Sequence, residues 1–292
     1  MTASLKCNAC GRFGADAEPL PGFYMGRKGK NVSAAWFWCK VCGSCFCATD
    51  STEQDEVAHH QTREHGRLAR LERYCELTRP MHRHICSEMA KRGLAGANVL
   101  DVGASFGGFL KEAQAAGFNP SAIDINPECV DYLRSQGFAA FQASSLTRAS
   151  APKASFDAIT MLDVSYYFKD QRVEFESARD ILRPRGWLVL RTTNKLWAVW
   201  LSTVLSRFSA KRAQELFARA VVDHSFVQSA SCLKKVLQNC GYSEIVIEPD
   251  KTRIVQDVRW DTKAAYAAGV VLSKIARRSV LVPGIIAWAR RP

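Results

Sequence analysis

The chain has 292 residues, a hydrophobic fraction of 47% and a formal net charge of +12 at pH 7. This length accommodates one domain of ordinary size and a smaller module, and the hydrophobic fraction is ample for a buried core. No run of about 18 uninterrupted apolar residues occurs, and the N-terminus lacks the pattern of a signal peptide. Composition therefore argues against a membrane-spanning helix, and the default expectation is a cytoplasmic protein.

The positive charge is concentrated in the last third of the chain. Residues 96–190 contain 9 basic and 11 acidic side chains, whereas residues 191–292 contain 17 basic and 7 acidic side chains. An excess of this kind implies an anionic partner, which is a phosphate, a nucleic acid or a membrane surface.

Two CxxC pairs near the N-terminus predict a small zinc-binding module over residues 1–50. In each pair the second cysteine is followed by glycine, which permits the tight turn that directs two thiolates at one ion. Four thiolates at tetrahedral corners suit Zn²⁺, and two such pairs separated by a hairpin-length segment are typical of a zinc ribbon. The predicted ligands of this structural zinc are Cys7, Cys10, Cys39 and Cys42. Cys45 and Cys47 stay unassigned, and a second metal site is an alternative.

Residues 51–95 are predicted to form a helical linker. Acidic residues come before basic ones along its first part, which suits a helix macrodipole. Pro80 is expected to end one helix, and a second helix is expected over His82–Lys91. The histidines expected at the surface of this linker, rather than as ligands, are His59, His60, His82 and His84.

The chain is organised around Val99–Leu110, where an apolar run meets an acid and then a glycine-rich loop. The apolar residues indicate a buried strand, and the residues after Gly108 recur at helical spacing. Glycines let a ligand approach the backbone, and N–H groups at the start of a helix can bind its polar atoms. A second short strand ends at Asp124, where a carboxylate can bind both hydroxyls of a ribose. Together these features predict a nucleoside-binding βαβ unit.

Residues 98–194 resemble the class I S-adenosylmethionine (SAM) methyltransferases. The first loop of that family reads acid-x-Gly-x-Gly-x-Gly, and here Asp101–Gly107 reads DVGASFG, with serine in place of the middle glycine. The family's acid on strand two falls on Asp124. Its fourth strand falls on FDAITMLDV at 156–164, and its fifth falls on ARDILRPRGWLVLRTT at 178–193. A dinucleotide-binding Rossmann domain would use the same glycines, but it rarely carries an acid before the first one.

The resemblance implies a SAM site at the carboxyl ends of the strands. The residues implied to bind the cofactor are Asp101, Gly103, Ala104, Ser105, Gly107, Asp124, Ile125, Ser144, Leu162 and Asp163. The glycine loop would approach the methionine part of SAM, Asp124 its ribose and Ile125 its adenine. Ser144 follows strand three, where the family often carries an acid beside the adenine amine, so this contact is expected to be weaker.

His224 is the candidate catalytic base. The methyl donor is already activated, so the protein mainly positions the reactants, but an oxygen or nitrogen acceptor often needs a base. Tyr166 and Tyr167 stand where related small-molecule enzymes often carry Glu-His, which removes the obvious candidate. The Asp223-His224 pair resembles an Asp-His that precedes the final helix in many relatives. A structural hydrogen bond is the alternative role of His224.

The expected fold is α/β, with a Rossmann-like, seven-stranded, mostly parallel sheet covered by helices on both faces, plus the small N-terminal zinc-ribbon module. Strands are expected at 98–102, 122–125, 139–142, 158–162, 187–191 and 244–248, with a seventh near 253–258. The methyltransferase domain is accordingly expected to span 96–262.

Two segments of the last third remain outside this motif pattern. Residues 194–208 are too apolar for a free surface helix, and they are expected either to cover the acceptor or to pack within the domain. Residues 263–292 are expected to form a basic amphipathic C-terminal segment. Apolar residues flanked by cations resemble an interfacial helix, so 264–292 is a candidate contact with an anionic membrane surface, with domain packing as the alternative.

Three functions from different classes follow. The first is a SAM-dependent methyltransferase that acts by in-line displacement on a small-molecule, sugar or lipid-linked glycan acceptor, in the cytoplasm or peripherally at the inner membrane face. The second is an RNA methyltransferase that uses the ribbon and the basic last third, although the fourth strand lacks the signals of many base methylators. The third is a non-catalytic zinc-binding scaffold.

Overall fold

The computed structural model describes residues 5–12, 16–24, 35–48, 58, 71–149, 151–222, 224–252, 260–276 and 282–292. Some predictions fall outside these residues: most of the first half of the linker, the strand near 253–258, His59, His60 and Asp223. Within the described part of the chain, no helix is long and apolar enough to cross a membrane.

Strands and helices alternate along most of the described chain. The strands are β1 (Ala17–Tyr24), β2 (Ala35–Cys39), β3 (Cys45–Cys47), β4 (Asn98–Val102), β5 (Asn119–Asp124), β6 (Ala139–Gln142), β7 (Phe156–Leu162), β8 (Leu182–Thr193), β9 (Phe226–Val227), β10 (Ser243–Pro249) and β11 (Gly284–Arg290). The helices are α1 (Leu71–Lys91), α2 (Gly108–Ala115), α3 (Pro127–Ser135), α4 (Gln171–Ile181), α5 (Leu196–Leu205), α6 (Ala210–Val221), α7 (Ala230–Asn239) and α8 (Trp260–Ala276).

Seven strands form the larger sheet in the order β10-β11-β8-β7-β4-β5-β6. The pairs among β8, β7, β4, β5 and β6 are parallel, and β11 runs antiparallel to both of its neighbours. Helices α1, α2 and α3 pack on one face of the sheet, and α4 and α7 pack on the other. The predicted Rossmann-like architecture is confirmed, because its apolar strands are buried on both faces.

The sheet contains a strand that the sequence analysis did not predict. Strand β11 lies between β8 and β10, and Ile285–Ala289 is completely buried. Five consecutive apolar residues suit a strand that is covered on both faces, whereas the sequence analysis assigned them to an amphipathic segment. The sheet therefore extends past residue 262, and the described residues of the proposed C-terminal segment include most of α8 and the whole of β11.

Helix α1 continues through Pro80, where one helix was predicted to end. Proline donates no backbone hydrogen bond, which normally destabilises a helix interior. The helix nevertheless buries Met81, Ile85 and Met89 against the sheet, and this burial favours its continuation. The Thr78 hydroxyl also donates to the Tyr74 carbonyl at 3.0 Å, one turn before the proline.

The N-terminal ribbon forms a second, four-stranded antiparallel sheet with the order β1-β2-β3-β9. Its last strand comes from a distant part of the chain, since Cys45 pairs with Val227 and Phe46 pairs with Phe226. Helix α6 covers this sheet, and the Phe217 ring lies 4.7 Å from the Phe23 ring. The ribbon is consequently packed into the rest of the protein through β9 and α6.

Candidate active site

A cavity of about 430 Å³ opens at the carboxyl ends of β4, β5, β6 and β7. This is the edge of a parallel sheet at which ligands bind in doubly wound folds. Nine of the ten predicted cofactor residues line it: Asp101, Gly103, Ala104, Ser105, Asp124, Ile125, Ser144, Leu162 and Asp163. Gly107 is not among the described residues that line it.

The Asp101 side chain lies in the interior of the sheet and lines the cavity. It is buried, and it accepts a hydrogen bond of 2.6 Å from the Thr160 hydroxyl. Thr160 can reach it because β4 and β7 are paired in register at these two residues. Burial raises the pKa of Asp101 to about 7, and the nearby Asp124 charge acts in the same direction. The group can therefore change its charge near neutral pH.

Three residues of the glycine loop after β4 have a left-handed backbone conformation: Gly103, Ser105 and Gly107. Gly103 has φ +76°, and a Cβ atom there would lie 2.7 Å from a methyl of Val164. Gly107 has the same φ, and its Cβ would lie 2.5 Å from Leu133, so this glycine serves helix packing. Neither position admits a side chain without displacement of its neighbour. Gly103 also lines the cavity, so the backbone of the loop faces the cavity at this residue.

Asp124 at the tip of β5 is fixed by the backbone. Its carboxylate accepts the Ser105 N–H at 2.7 Å and the Asn126 N–H at 2.8 Å. The first bond ties the strand tip to the glycine loop, and the second begins the turn into α3. The carboxylate is buried and lines the cavity, so a ligand there meets a prepositioned acceptor.

Asp163 follows β7 in a left-handed conformation, with φ +60°. It forms an ion pair with Arg191, a buried residue of β8 that also binds Asp250 at 3.0 Å. Burial works against the Arg191 charge, but Asp163, Tyr266 and Asp250 together hold its pKa well above the ordinary value. This cluster fixes Asp163 at the cavity wall.

His82 was expected at the surface, and this prediction is wrong. The side chain is 6% exposed and lines the cavity on the side formed by α1. Burial lowers its pKa to about 4, so the imidazole is neutral at pH 7. His82 shares the helical spacing of Ile85, Cys86 and Met89, and that pattern could have identified its buried position.

Two further cavity residues escaped the sequence analysis. Glu174 of α4 lines the cavity and accepts the Leu146 N–H at 2.8 Å. Burial raises its pKa to about 7. Tyr74 of α1 also lines the cavity. Neither residue belongs to a recognisable motif, because α1 and α4 reach the cavity only through the tertiary fold.

His224 is not among the described residues that line the cavity. One ring nitrogen lies 3.1 Å from the Thr193 hydroxyl, and the other bonds to the Val222 carbonyl. A carbonyl can only accept, so Nδ1 carries the proton and Nε2 accepts from Thr193. The ring also stacks on Tyr166 at 4.1 Å. These contacts suit a structural role, and a catalytic role for His224 stays a prediction.

The four predicted zinc ligands converge in the ribbon. Their sulfur atoms all lie within 4.8 Å of one another, with Cys7 and Cys42 at 3.8 Å and Cys10 and Cys39 at 3.7 Å. Four Zn–S bonds of about 2.3 Å would place the sulfurs of a tetrahedron about 3.8 Å apart. The donor set and its spacing therefore fit Zn²⁺.

The first CxxC turn of the ribbon, here called its first knuckle, contacts the wall of the cavity. The Asn8 carbonyl accepts the Gln171 N–H at 2.7 Å, and the Asn8 side chain donates to the Lys169 carbonyl at 3.1 Å. Lys6 forms an ion pair with Asp170. Lys169 and Asp170 both line the cavity, so the residues beside the cysteine cluster support one of its walls.

Comparisons with known proteins agree with this geometry. A family model described as a methyltransferase domain matches residues 70–246. The ubiquinone biosynthesis O-methyltransferase of Xanthomonas oryzae pv. oryzae (strain PXO99A) is 33% identical over 123 residues, which are 40% of this chain and 51% of that protein. The protein of the same name from Xylella fastidiosa (strain 9a5c) is 33% identical over 120 residues, 38% of this chain and 48% of that protein.

The chain thus spans about half the length of the curated relatives it matches. Among solved structures, a SAM-dependent methyltransferase from Thermotoga maritima, titled a possible histamine N-methyltransferase, has a TM-score of 0.50 and 11% identity. That match covers 77% of this chain and 97% of the other, and it shows the fold alone. Because the family model covers more than half of the sequence, the chain belongs to the methyltransferase domain family.

Proposed function

We propose that this enzyme methylates a small-molecule, sugar or lipid-linked glycan acceptor at the cavity between β4 and β7. The observation that carries the proposal is the Asp124 carboxylate, which two backbone N–H groups hold at the cavity beside an open glycine loop. SAM carries an activated methyl group, so the protein's task is to hold donor and acceptor in line.

The residues present fit SAM. Asp124 would accept the two ribose hydroxyls, and the loop from Gly103 to Ser105 would face the methionine part. Ile125 would lie against the adenine, with Ser144 beside its amine. Asp101 in its ionised form would stabilise the ammonium through the loop. All five of these groups line the cavity, and this supports the proposed arrangement.

We assign the acceptor side of the cavity to the last residue of β7 and to residues that follow it. Leu162 and Asp163 would lie near the transferred methyl, with Tyr167 beside them on the cavity wall. Arg191 orients the Asp163 carboxylate, which makes Asp163 a second candidate for contact with an acceptor hydroxyl. Any role of His224 would be indirect, since neither it nor Tyr166, on which its ring stacks, is among the described residues that line the cavity.

The ribbon is proposed to bind one structural zinc ion through Cys7, Cys10, Cys39 and Cys42. Four thiolates leave no open coordination position, so a catalytic metal is not proposed. Its contribution to the active site would be indirect: the knuckle that holds the metal also supports Lys169 and Asp170 through Asn8 and Lys6.

The named relatives act in ubiquinone biosynthesis as O-methyltransferases, and this supports an oxygen acceptor on a small molecule. Membrane contact through 264–292 loses part of its basis. Arg290 pairs with Glu244, and Arg291 donates to the Arg179 carbonyl, so both cations bond within the domain. RNA methylation keeps no specific structural observation in its favour.

The proposal is tested by thermal unfolding with SAM, S-adenosylhomocysteine and NAD. A ligand at about 100 times its dissociation constant stabilises the fold by about 2.7 kcal/mol, which raises the Tm of a chain this size by about 5 °C. We expect both SAM-type ligands to raise the Tm of the wild type and of Asp131→Ala, an exposed control on α3. Asp124→Ala should abolish the shift. A shift with NAD alone would contradict the assignment of the cavity.

The acceptor class is tested by transfer of radiolabelled methyl from SAM into fractionated cell extract. Label in the organic phase supports a lipid-linked acceptor, and label in small water-soluble molecules supports a free sugar or other small acceptor. Label confined to RNA would overturn the proposed acceptor class while leaving SAM binding intact.

A further inference from the structure

Three aromatic side chains stand exposed on one helical hairpin. The hairpin consists of α5, α6 and the turn between them, residues 196–221. Trp197 is 46% exposed, Trp200 is 61% exposed and Phe208 is 83% exposed. Exposed apolar residues are common singly, but three large aromatic ones within twelve positions form a patch that calls for a partner.

The patch is not a consequence of loose packing. The opposite side of α5 buries Ala198, Val199 and Ser202, and α6 buries Phe217. Phe217 contacts the ribbon edge-on at Trp36, with ring centroids 5.6 Å apart. The hairpin is therefore a firm element with one covered side and one aromatic side, and only part of it packs into the domain as the sequence suggested.

The hairpin that carries the aromatic patch is also basic. Residues 195–221 contain five basic side chains and one acidic side chain, Glu215. The basic ones are Lys195, Arg207, Lys211, Arg212 and Arg219. Helix α5 itself carries no charged residue, so the cations stand beyond its ends and along α6. A hairpin of this composition attracts an anionic partner through its basic side chains and an apolar partner through its aromatic side chains.

We infer that this hairpin docks on the surface of an anionic lipid bilayer. Tryptophan prefers the boundary between headgroups and hydrocarbon, where its ring lies in apolar surroundings and its N–H stays wet. Basic residues beside it bind anionic headgroups, at about 1 kcal/mol for each cation near the surface. No described helix could span a membrane, so the contact is peripheral.

Two other partners fit the surface less well. A symmetric contact between two copies would place one patch against the other, which brings like charges together. A nucleic acid needs cations along the path of its backbone, but the ten residues of α5 offer none between Lys195 and Arg207. A bilayer requires only what the hairpin offers, exposed aromatic side chains and cations on the same element.

The hairpin also lies next to the reaction site in the chain. Strand β8 ends at Thr193 and leads into α5, and its Arg191 carbonyl accepts the N–H of Asp163, a cavity residue. Docking would therefore bring a membrane close to the strand that supports the acceptor side. This step rests on the proposed function, and it favours an acceptor carried by a lipid over a free sugar.

Sedimentation with vesicles tests the docking itself. We expect the wild-type chain to pellet with vesicles of phosphatidylcholine and phosphatidylglycerol, and to remain in the supernatant with phosphatidylcholine alone. The triple variant Trp197→Ser/Trp200→Ser/Phe208→Ser should lose binding about tenfold or more. Phe141→Ser is the matched control, since Phe141 is an exposed aromatic on the edge strand β6, and it should bind like the wild type.

A charge variant separates the two parts of the surface. Lys211→Glu/Arg212→Glu should weaken binding to anionic vesicles about tenfold or more and reduce its salt dependence. Each variant should keep the wild-type melting temperature and its shift with SAM, so a loss of docking is distinguishable from a failure of the methyltransferase assignment. The inference would be overturned if the wild-type protein did not pellet with anionic vesicles. Equal pelleting of the triple variant, or binding to single-stranded RNA that the same three substitutions abolish, would also overturn it.

Discussion

The two sheets of this protein hold their polar groups in place by different means. In the seven-stranded sheet, Asp101 and Asp124 are fixed by hydrogen bonds from a neighbouring strand and from loop backbone. In the four-stranded sheet, β3 has three residues and β9 has two, and four cysteines converge from the segment before β1 and from the end of β2 and the turn after it. A small sheet lacks the apolar burial of a large one, so it relies on crosslinking and on its neighbour.

Metal removal should break this contrast most strongly. Cys39→Ser removes one of four proposed ligands, and structural zinc sites are worth about 10 kcal/mol or more of apparent binding free energy. We expect one zinc per chain in the wild type and almost none in the variant, measured by elemental analysis, with a large drop in Tm. Cys75→Ser, a half-buried cysteine of α1, should retain full zinc content. Equal zinc in both variants would contradict the ligand assignment.

Gly103→Ala should damage the seven-stranded sheet at its ligand edge. The left-handed φ of +76° costs about 1 kcal/mol for alanine, and the clash with Val164 adds to this. The control is Gly117→Ala, where φ is +82° and no described atom lies within 4 Å of the position that a Cβ atom would occupy. Both variants should lose stability, but only Gly103→Ala should weaken SAM binding about tenfold or more by calorimetry. Equal SAM affinity in the two would place the cofactor elsewhere.

The pH dependence of stability should report the buried acids. The pKa of Asp101 is raised from 3.8 to about 7, so the folded state holds a proton that the unfolded chain releases above pH 4. Stability should fall between pH 4 and 7, by at most about 1.4 kcal/mol per pH unit for this group. Asp101→Asn should flatten the Tm profile in this window. Glu174→Gln should do the same in part, because its pKa is also raised to about 7.

SAM affinity should respond to pH with the opposite sign. The ionised Asp101 carboxylate attracts the ammonium of SAM, so affinity should rise between pH 6 and 8 in the wild type by a few-fold. In Asp101→Asn the affinity should be lower and should depend less on pH in this range, with Glu174 as the remaining cavity carboxyl whose pKa is raised to about 7. An unchanged pH profile in the variant would remove Asp101 from the cofactor site.

Asn8→Ala should give the smallest effect, and it tests whether the two sheets are coupled. The variant loses the side-chain bond to Lys169 of the cavity wall, at a cost of about 1 kcal/mol. Asn119→Ala is the matched control, since its side chain donates to the Gly96 carbonyl at 3.0 Å. We expect similar Tm values for both, and a two- to threefold loss of SAM affinity for Asn8→Ala alone. Equal affinities would mean that the ribbon does not influence the cavity.

The sequence predicted best what is decided locally. Strands β4 and β6 have the predicted bounds, because short apolar runs between turn residues fix them. Asp124 stands at the cavity because a βαβ unit determines where its second strand ends. The turn of each CxxC pair was predictable because it needs only its own glycine, and Gly11 and Gly43 both have a positive φ.

The failures share a different cause, which is contact between distant segments. Strand β11 lies at Gly284–Arg290 because β8 and β10 leave a place for an apolar strand between them, and no local pattern distinguishes that from an interfacial segment. Pro80 is tolerated within α1 because the rest of that helix is buried. His82 reaches the cavity only once α1 packs beside Gly108. In each case tertiary packing overrides local preference.

The pairing of β3 with β9 also sets an order of events during synthesis. The first three strands of the ribbon leave the ribosome long before Phe226 and Val227, which complete their sheet. Until then β3 presents an unpaired edge, and such edges promote association with other chains. Early capture of zinc by the cysteine pairs would hold the nascent hairpin together through this interval. The metal would then stabilise the first three strands of the ribbon until β9 has been translated and can pair with β3.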